Sequence, residues 1–141
     1  MALPTHLRLE FVTLARAVVY DDVDEVELPG EEGYFGVLPG HAPLLAALKT
    51  GEMWYRKSSQ KMFAFIDSGF AEVLPDRVSI LAQVAERAED IDIQRAEAAK
   101  RRAEERLSGP SVVDFDAERA RIALYRAITR LNISRQHRTR S

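Results

Sequence analysis

The first part of the chain, up to about Ala85, alternates apolar and polar side chains in short runs. In the first run Leu7, Leu9 and Phe11 alternate with charged neighbours, which is the two-residue period of a strand that buries one face. The same reasoning predicts further strands around residues 26–28, 53–55, 62–66, 70–74 and 78–82. Many short strands at this spacing indicate a sandwich or a barrel.

Turn-forming residues separate these runs. Pro29-Gly30 ends one strand and Pro75-Asp76 parts the last two. The polar sequence KSSQK between residues 55 and 62 predicts a hairpin with a longer loop. Gly30, Gly33, Gly36 and Gly40 are read as positions that allow turns with positive φ. This half, with nearly all the aromatic residues, is therefore expected to supply the core.

Beyond Ala85 the period changes from two residues to that of a helix. The segment is rich in Ala, Glu, Arg and Lys, which are good helix formers. Asp90 or Asp92 can cap its start, and Gly109-Pro110 predicts its end. A second helix is expected from near Asp114 or Asp116 to about Ser134.

The second helix carries a narrow apolar seam at alternating spacings of three and four residues. Its members are Ala117, Ala120, Leu124, Ala127 and Leu131. The connecting loop, residues 108–113, is short, so the helices should fold back antiparallel. An alanine-rich seam buries little apolar area, at roughly 25 cal/mol per Å². The hairpin should therefore be marginal alone and able to exchange one packing surface for another.

The predicted fold class is α+β, an N-terminal antiparallel β-sandwich followed by a C-terminal antiparallel two-helix hairpin. The predicted domains are residues 1–86 and residues 87–141. The chain has 46% apolar residues, no cysteine and no run of about 20 apolar residues that could cross a bilayer. The N-terminal sequence MALPTHLRLEF has no apolar core of signal-peptide length, so we expect an unprocessed, non-secreted chain. Without cysteine we expect no disulfides and no thiolate metal sites.

Charge is unevenly distributed although the net charge is only −2. Residues 119–141 carry seven arginines and no acidic residue, whereas the rest of the chain is acidic. Such a tail suits an acidic partner surface, phosphate or nucleic acid, or it is a solvated helix end that complements its own dipole. Charge alone leaves these alternatives open.

Two groups of residues invite a catalytic interpretation. His41 lies in a Pro-Gly-His-Ala-Pro loop, but the other histidines are His6 and His137, far away in the sequence. No triad or metal-binding spacing surrounds it, so a structural or contact role is expected. The acidic cluster at residues 21–25 lacks the context of a metal loop and is read as a solvated turn. No catalytic residue and no metal site are predicted.

Three segments in order resemble the epsilon subunit of F-type ATP synthases. They are LPGEEGYFGVLPGHAPLLAAL at residues 28–48, DSGFAEVLPDRVSILAQ at residues 67–83, and ERAEDIDIQRAEAAKRRAEERL at residues 86–107. The resemblance spans nearly the whole chain. It implies a non-catalytic rotor subunit, peripheral to the membrane through its complex, that couples ion flow to ATP synthesis and restrains ATP hydrolysis.

The resemblance also implies partners and a place in the cell. The sandwich would pack on the central gamma shaft and the membrane ring of c subunits, on the cytoplasmic face of the bacterial plasma membrane. The residues expected on the ring side are Tyr34, Pro39, Gly40, His41, Ala42 and Pro43. In an extended hairpin the residues expected to meet the α/β catalytic head are Arg119, Arg121, Arg126, Arg130 and Arg135.

Some members of this family bind ATP on the folded hairpin, and this sequence carries their motif. The implied site residues are Glu86, Ile91, Asp92, Arg95, Ala96, Arg102, Arg126 and Arg130. Guanidinium groups from facing helices can hold phosphate oxygens, and no glycine-rich phosphate loop is present, so binding without hydrolysis is expected. No cofactor is required. A helix cap at Asp92 and solvated arginines explain the same residues, and both interpretations stay open.

The alternative function is a nucleic-acid or anionic-partner module that uses the basic C-terminal helix. Such a module usually interleaves aromatic residues with its basic ones, and this tail holds only Tyr125. We therefore expect no nucleic-acid partner.

Overall fold

A computed structural model describes residues 3–109 and 114–140, with side chains for residues 3–109 and 116–137. The chain folds into two compact units, Met1–Arg87 and Ala88–Ser141. The strands of the first unit are β1 (Leu7–Val12), β2 (Ala17–Val23), β3 (Glu25–Gly30), β4 (Gly33–Val37), β5 (Leu44–Leu48), β6 (Gly51–Lys57), β7 (Gln60–Leu74) and β8 (Arg77–Arg87). The second unit contains a short 3₁₀ helix (Ala88–Asp90), α1 (Ile93–Ser108) and α2 (Asp114–Arg140).

The strands hydrogen-bond in the order β2-β1-β8-β7-β5-β3-β4, and β6 pairs with both β3 and β7. Neighbouring strands are antiparallel, except that β1 and β8 run parallel. The predicted fold class, a β-sandwich followed by two helices, is confirmed. The parallel pair joins two distant parts of the chain, and no local period could have indicated it.

The core of the first unit follows from the two-residue period. Leu7, Leu9 and Phe11 are fully buried, as their alternation predicts. Leu28, Met53 and other large apolar side chains complete the cluster. Burying each such side chain stabilises the fold by about 1.5–3 kcal/mol. The first unit therefore has a substantial hydrophobic core of its own.

β7 is a single strand of 15 residues, although the sequence predicts two strands there. The sequence Asp67-Ser68-Gly69 lies between the two predicted strands. Ser68 has a φ of +55°, and a Cβ on Gly69 would lie 2.3 Å from the carbonyl oxygen of Leu81. These two residues let the strand continue through a local distortion. Asp67 is buried and accepts a hydrogen bond from the Thr50 hydroxyl.

The β6–β7 connection is a two-residue turn, so the predicted longer loop is wrong. Lys57 pairs with Gln60, which leaves only Ser58 and Ser59 in the turn. Ser58 has a φ of +55°, and its amide donates to a carboxylate oxygen of Asp24 at 2.7 Å. A residue distant in sequence therefore holds this turn, and the local sequence does not reveal it.

Three strands, β2, β4 and β5, were not predicted, and the reading of residues 21–25 as a solvated turn is wrong. Asp21 and Asp22 belong to β2, where they form ion pairs with Lys57 at 2.6 Å and with Arg8 at 2.7 Å. The acidic cluster is therefore a set of ion pairs along strands. Of the four glycines, only Gly33 and Gly40 have positive φ, so the expectation for Gly30 and Gly36 is also wrong.

The first helix begins later than the change of period indicates, because β8 continues to Arg87 and a 3₁₀ helix follows. Asp92 is the N-cap, and its side chain accepts from the amide of Arg95 at 3.1 Å. Gly109 ends α1 in an extended conformation, with φ −75° and ψ 143°. The following proline disfavours helical geometry at that residue, so Gly109 does not use its freedom to adopt positive φ.

α1 and α2 pack along alanines that are seven residues apart on each helix. Ala96 and Ala103 are buried on α1, and Ala120 and Ala127 are buried on α2. Leu131 is also buried, whereas two other predicted seam residues are half-buried: Ala117 and Leu124. α2 continues to Arg140, past the predicted end at Ser134. Residues 110–113 of the predicted connecting loop lie outside the described residues.

Candidate partner-contact and nucleotide sites

The loop between β4 and β5 is held by backbone hydrogen bonds. The amide of Gly40 donates to the carbonyl oxygen of Pro75 at 2.7 Å, and the amide of His41 donates to that of Leu38 at 3.1 Å. Gly40 has a φ of +87°, which strongly favours glycine, although a Cβ there would meet only ordinary contacts. The loop is thus tied to the β7–β8 turn.

His41 is bonded within this loop. Its Nδ1 lies 2.6 Å from the carbonyl oxygen of Ala42, and a carbonyl only accepts, so Nδ1 carries the proton. Pro39 is half-buried, whereas Ala42 and Pro43 are exposed. In the parts of the chain that the structure describes, no group of three His, Cys, Asp or Glu residues could hold a metal ion. The geometry fits a residue that shapes an exposed loop.

Tyr34 lies near the start of β4, at the end away from this loop, and is 52% exposed. Its phenol oxygen accepts from the amide of Glu52 at 3.3 Å, and the ammonium of Lys49 lies 5.8 Å from its ring centre. A hollow of about 490 Å³ adjoins it, lined by residues 30–35 of the β3–β4 turn and 44–47 of β5. Tyr34 therefore forms part of a shaped surface with carboxylates at Glu31 and Glu32.

Some motif residues at the start of α1 and just before it are buried or cap the helix, and the others are exposed. Ile91 and Ala96 are buried, and one carboxylate oxygen of Asp92 is used by the helix cap. Arg95 and Arg102 are exposed and lie seven residues apart, so they point to nearly the same side of the helix. The cap interpretation of Asp92 is thus correct for one of its oxygens.

The five arginines of α2 that are expected to meet the catalytic head do not lie on one side of the helix. At about 100° per residue, Arg119, Arg126 and Arg130 share one side of the helix. Arg121 and Arg135 lie on another side. Arg121 pairs with Glu118, with a nitrogen–oxygen distance of 2.8 Å. Arg126 and Arg130 are half-buried and one turn apart. The arginines of the implied ATP site on α2, Arg126 and Arg130, therefore lie on one side of the helix, whereas the expected head contacts occupy two sides.

The two arginine pairs flank the same side of the alanine seam. Arg95 and Arg102 lie about a quarter turn from the seam of α1, and Arg126 and Arg130 lie about a quarter turn from the seam of α2. For antiparallel helices these offsets fall on one side of the hairpin. Glu86 is a half-buried residue near the end of β8 and belongs to the first unit.

Several large apolar residues of the first unit are exposed, which the sequence analysis does not predict. They include Leu14, Leu45, Phe70 and Leu81. A strand period assigns its apolar residues to the core and gives no sign of their exposure. None of the described helices is long and apolar enough to cross a membrane.

Comparison with known proteins gives consistent results for both units. The family model "ATP synthase, Delta/Epsilon chain, beta-sandwich domain" matches residues 6–88, and the "long alpha-helix domain" of the same family matches residues 89–135. An ATP synthase epsilon chain from Nitratidesulfovibrio vulgaris is 47% identical over 127 residues, covering 90% of this chain and 94% of that one. Another, from Herpetosiphon aurantiacus, is 46% identical over 134 residues, covering 95% and 98%.

A solved structure supports the fold at lower sequence identity. A chain in the mitochondrial ATP synthase of Euglena gracilis, a complex of OSCP, F1 and c-ring, superposes with a TM-score of 0.79. The two are 23% identical, and the match covers 92% of this chain and 81% of that chain. At that identity the likeness concerns the fold alone.

Proposed function

Because this chain belongs to the ATP synthase delta/epsilon chain family, we propose that it is a non-catalytic central-stalk subunit of an F-type ATP synthase. The carrying observation is that both domains of the family match in order, and that they coincide with the two compact units. Catalysis belongs to the complex. This subunit takes part in coupling ion flow through the membrane ring to ATP synthesis in the head.

Each of the two units has its own partners in the proposed assembly. The sandwich packs on the gamma shaft, and the loop of Pro39, Gly40, His41, Ala42 and Pro43 with Tyr34 faces the c-ring. A loop tied down by the Gly40–Pro75 and His41–Leu38 hydrogen bonds supports this assignment, because a preordered loop loses less entropy on binding. The complex is held at the cytoplasmic face of the bacterial plasma membrane.

The folded hairpin binds ATP as a regulatory ligand and not as a required cofactor. Arg95 and Arg102 on α1, with Arg126 and Arg130 on α2, can direct four guanidinium groups to one phosphate chain. Asp92 keeps its cap while its second carboxylate oxygen accepts from the adenine amine. Ile91 and Ala96, both buried, hold the helix start in place. Bound ATP would favour the closed hairpin by linkage.

The open hairpin restrains ATP hydrolysis. Its driving force would be the attraction between the arginine-rich α2 and acidic surfaces of the α/β head, with Arg119, Arg121, Arg126, Arg130 and Arg135 as contacts. The thin alanine seam supports this proposal, because closing over Ala96, Ala103, Ala120 and Ala127 buries little apolar area.

The stalk function is tested in the assembled enzyme. Synthase that lacks this chain is reconstituted into vesicles, and ATP-driven ion pumping is measured with and without added chain. We expect the chain to bind the synthase and to increase the number of ions pumped per ATP hydrolysed. A chain that neither binds nor changes coupling would contradict the proposal.

The ATP site is tested by titrating the isolated chain with ATP while following the distance between α1 and α2 by fluorescence. Arg95→Ala and Arg126→Ala should each weaken binding by roughly tenfold or more, since a hydrogen bond to a charged group contributes about 1.5–3 kcal/mol. The matched control is Arg121→Ala, which lies on another side of α2 and pairs with Glu118. Unchanged binding in both test variants would refute the site.

A further inference from the structure

The corner between β5 and β6, residues 49–52, lies against a bend in β7. β5 ends opposite Gly69 and β6 begins opposite Ile66, so the two strands follow one another along the same edge of β7. Thr50 lies between them, and its hydroxyl donates to a carboxylate oxygen of Asp67, which is 5% exposed. A buried carboxylate is costly unless it accepts hydrogen bonds, so this bond ties the corner to β7.

β7 changes the side that it turns to the core at this bend. Ala64 and Ile66 are core residues before it, and Ala71 and Val73 are core residues after it. A regular strand buries every second residue, so its core positions would be all even or all odd. The change falls around Asp67, where β7 passes from pairing with β6 to pairing with β5.

The corner also holds Tyr34. The Glu52 amide donates to the Tyr34 hydroxyl oxygen at 3.3 Å. A Cβ on Gly51 would lie 2.9 Å from that oxygen, so the glycine leaves room for the phenol. The Lys49 amide donates to the carbonyl oxygen of Pro29 at 2.9 Å, which joins the corner to β3. The position of Tyr34 is therefore set by the corner as well as by β4.

The other end of β7 holds the loop between β4 and β5. β7 ends at Leu74, and the carbonyl oxygen of the next residue, Pro75, accepts from the Gly40 amide at 2.7 Å. The stretch of β7 from Asp67 to its end thus joins the corner that holds Tyr34 to the turn that holds the loop. A strand advances by about 3.3 Å per residue, so this stretch sets the spacing between Tyr34 and the loop.

We propose that Thr50 and Asp67 are positioning residues for the surface that faces the c-ring, because they fix Tyr34 relative to the loop at residues 39–43. This inference rests on the proposed contact with the ring and adds to it the groups that preorganise that contact. Two contacts with one partner reinforce each other only when their spacing fits the partner. The bond between Thr50 and Asp67 therefore acts on ring binding without touching the ring.

The link between the corner and Tyr34 is tested by comparing Thr50→Val with Thr50→Ser. Valine has nearly the shape of threonine but no hydroxyl, whereas serine keeps the donor to Asp67. Amide hydrogen exchange at Glu52 should quicken in Thr50→Val and change little in Thr50→Ser. Equal exchange in the two variants would overturn the link.

Ring binding is measured with the full-length chain on the catalytic head and its shaft. Thr50→Val should weaken the affinity for the c-ring by roughly fivefold, as for an interface side chain that is displaced, and Thr50→Ser should not. Both variants should bind the ring-free head and shaft like the unmodified chain, which a general loss of structure would not allow. In a chain that carries Tyr34→Ala, Thr50→Val should have no further effect.

The outcomes separate the positioning role from the ring contact itself. Ring binding that is the same with and without the unmodified chain would contradict the proposed contact. A loss in Tyr34→Ala with none in Thr50→Val would overturn the positioning role and leave the contact intact.

A second variant covers the case that Thr50→Val does not fold, which unfolding followed at Trp54 on β6 would reveal. Asp67→Asn keeps the shape of the side chain but accepts a weaker hydrogen bond from Thr50, because a neutral amide replaces a carboxylate. It should weaken ring binding by roughly twofold. Ring binding equal to that of the unmodified chain would then overturn the positioning role.

Discussion

The two units of this chain bury very different side chains. The first unit encloses Phe11, Leu28, Met53 and Ile66, each with almost no exposed area. The second unit buries four alanines along its two helices, together with fewer large side chains: Ile91, Leu131 and Ile133. Burial of a large apolar side chain stabilises the folded state by about 1.5–3 kcal/mol, whereas burial of an alanine methyl stabilises it by only about 0.8 kcal/mol. One unit is thus built to stay folded, and the other is held closed by a small free energy.

This difference gives each unit its role in the proposed mechanism. A stalk subunit needs one part that keeps its shape while it transmits rotation. It also needs a regulatory part whose opening and closing a ligand can bias, which requires a small free-energy difference between states. The alanine seam provides that small difference. The sole tryptophan, Trp54, lies in the first unit, so its fluorescence and the helical circular dichroism report on the two units separately.

The largest effect is expected in the first unit. Phe11→Ala removes a fully buried ring and should lower the free energy of unfolding by about 3–5 kcal/mol. Urea unfolding followed at Trp54 measures the loss. The control is Leu14→Ala at a residue that is 96% exposed, where the change should stay within about 0.5 kcal/mol. Similar losses in both variants would show that Phe11 is not a core residue.

A smaller effect, confined to the helices, is expected from overfilling the seam. Ala127→Leu places three more carbon atoms at a position that is 1% exposed and should destabilise hairpin closure by about 1–3 kcal/mol. The thermal transition followed by helical circular dichroism should move to a lower temperature. The transition followed by Trp54 fluorescence should not change. Ala123→Leu makes the same change at an exposed position of α2 and should shift neither. Equal shifts in both variants would contradict the seam.

Loss of the cap should weaken the start of α1 by about 1 kcal/mol. Asp92→Ala removes the acceptor for the Arg95 amide, whereas Asp92→Asn retains one. Amide hydrogen exchange of the first turn should quicken in the alanine variant and change little in the asparagine variant. Identical exchange in all three proteins would mean that the cap contributes nothing.

The smallest effect concerns the acid stability of the first unit. The Ser58 amide, and then His6, hold the pKa of Asp24 below its ordinary value. A carboxyl group with a lowered pKa in the folded state contributes stability above its unfolded pKa of about 3.9, and this is lost as pH falls through the folded pKa. Asp24→Asn should therefore make the free energy of unfolding, measured by Trp54 fluorescence, less dependent on pH below about 4. Parallel pH profiles for the two proteins would contradict this.

Local periods predicted much of the first unit and most of the hairpin. Alternation located Leu7, Leu9 and Phe11 in the core, and spacing located Ala120 and Ala127 in the seam. The Ser58–Ser59 turn was misjudged, because Asp24, more than 30 residues away, holds it. β7 was predicted as two strands for a similar reason. The close approach of Gly69 to the backbone of β8, which lets the strand continue, is not visible in the local sequence.

The candidate sites were less predictable than the fold. The motif residues of α1 could be found in the sequence, but the use of Asp92 as a cap needed the geometry at Arg95. Exposed apolar residues such as Phe70 and Leu81 carry no sequence signal of their own, because an apolar residue in a strand is expected inside. Only the pairing of β8 with β7 shows that they lie side by side on the outer face.

The central claim is that the first unit anchors the subunit while the helices regulate the motor. The most direct test is ATP hydrolysis by the assembled synthase carrying a chain that ends at Arg87, compared with the full chain. We predict that the shortened chain still assembles and that hydrolysis rises several-fold, because the restraining α2 is gone. Unchanged hydrolysis with the shortened chain bound would contradict the account.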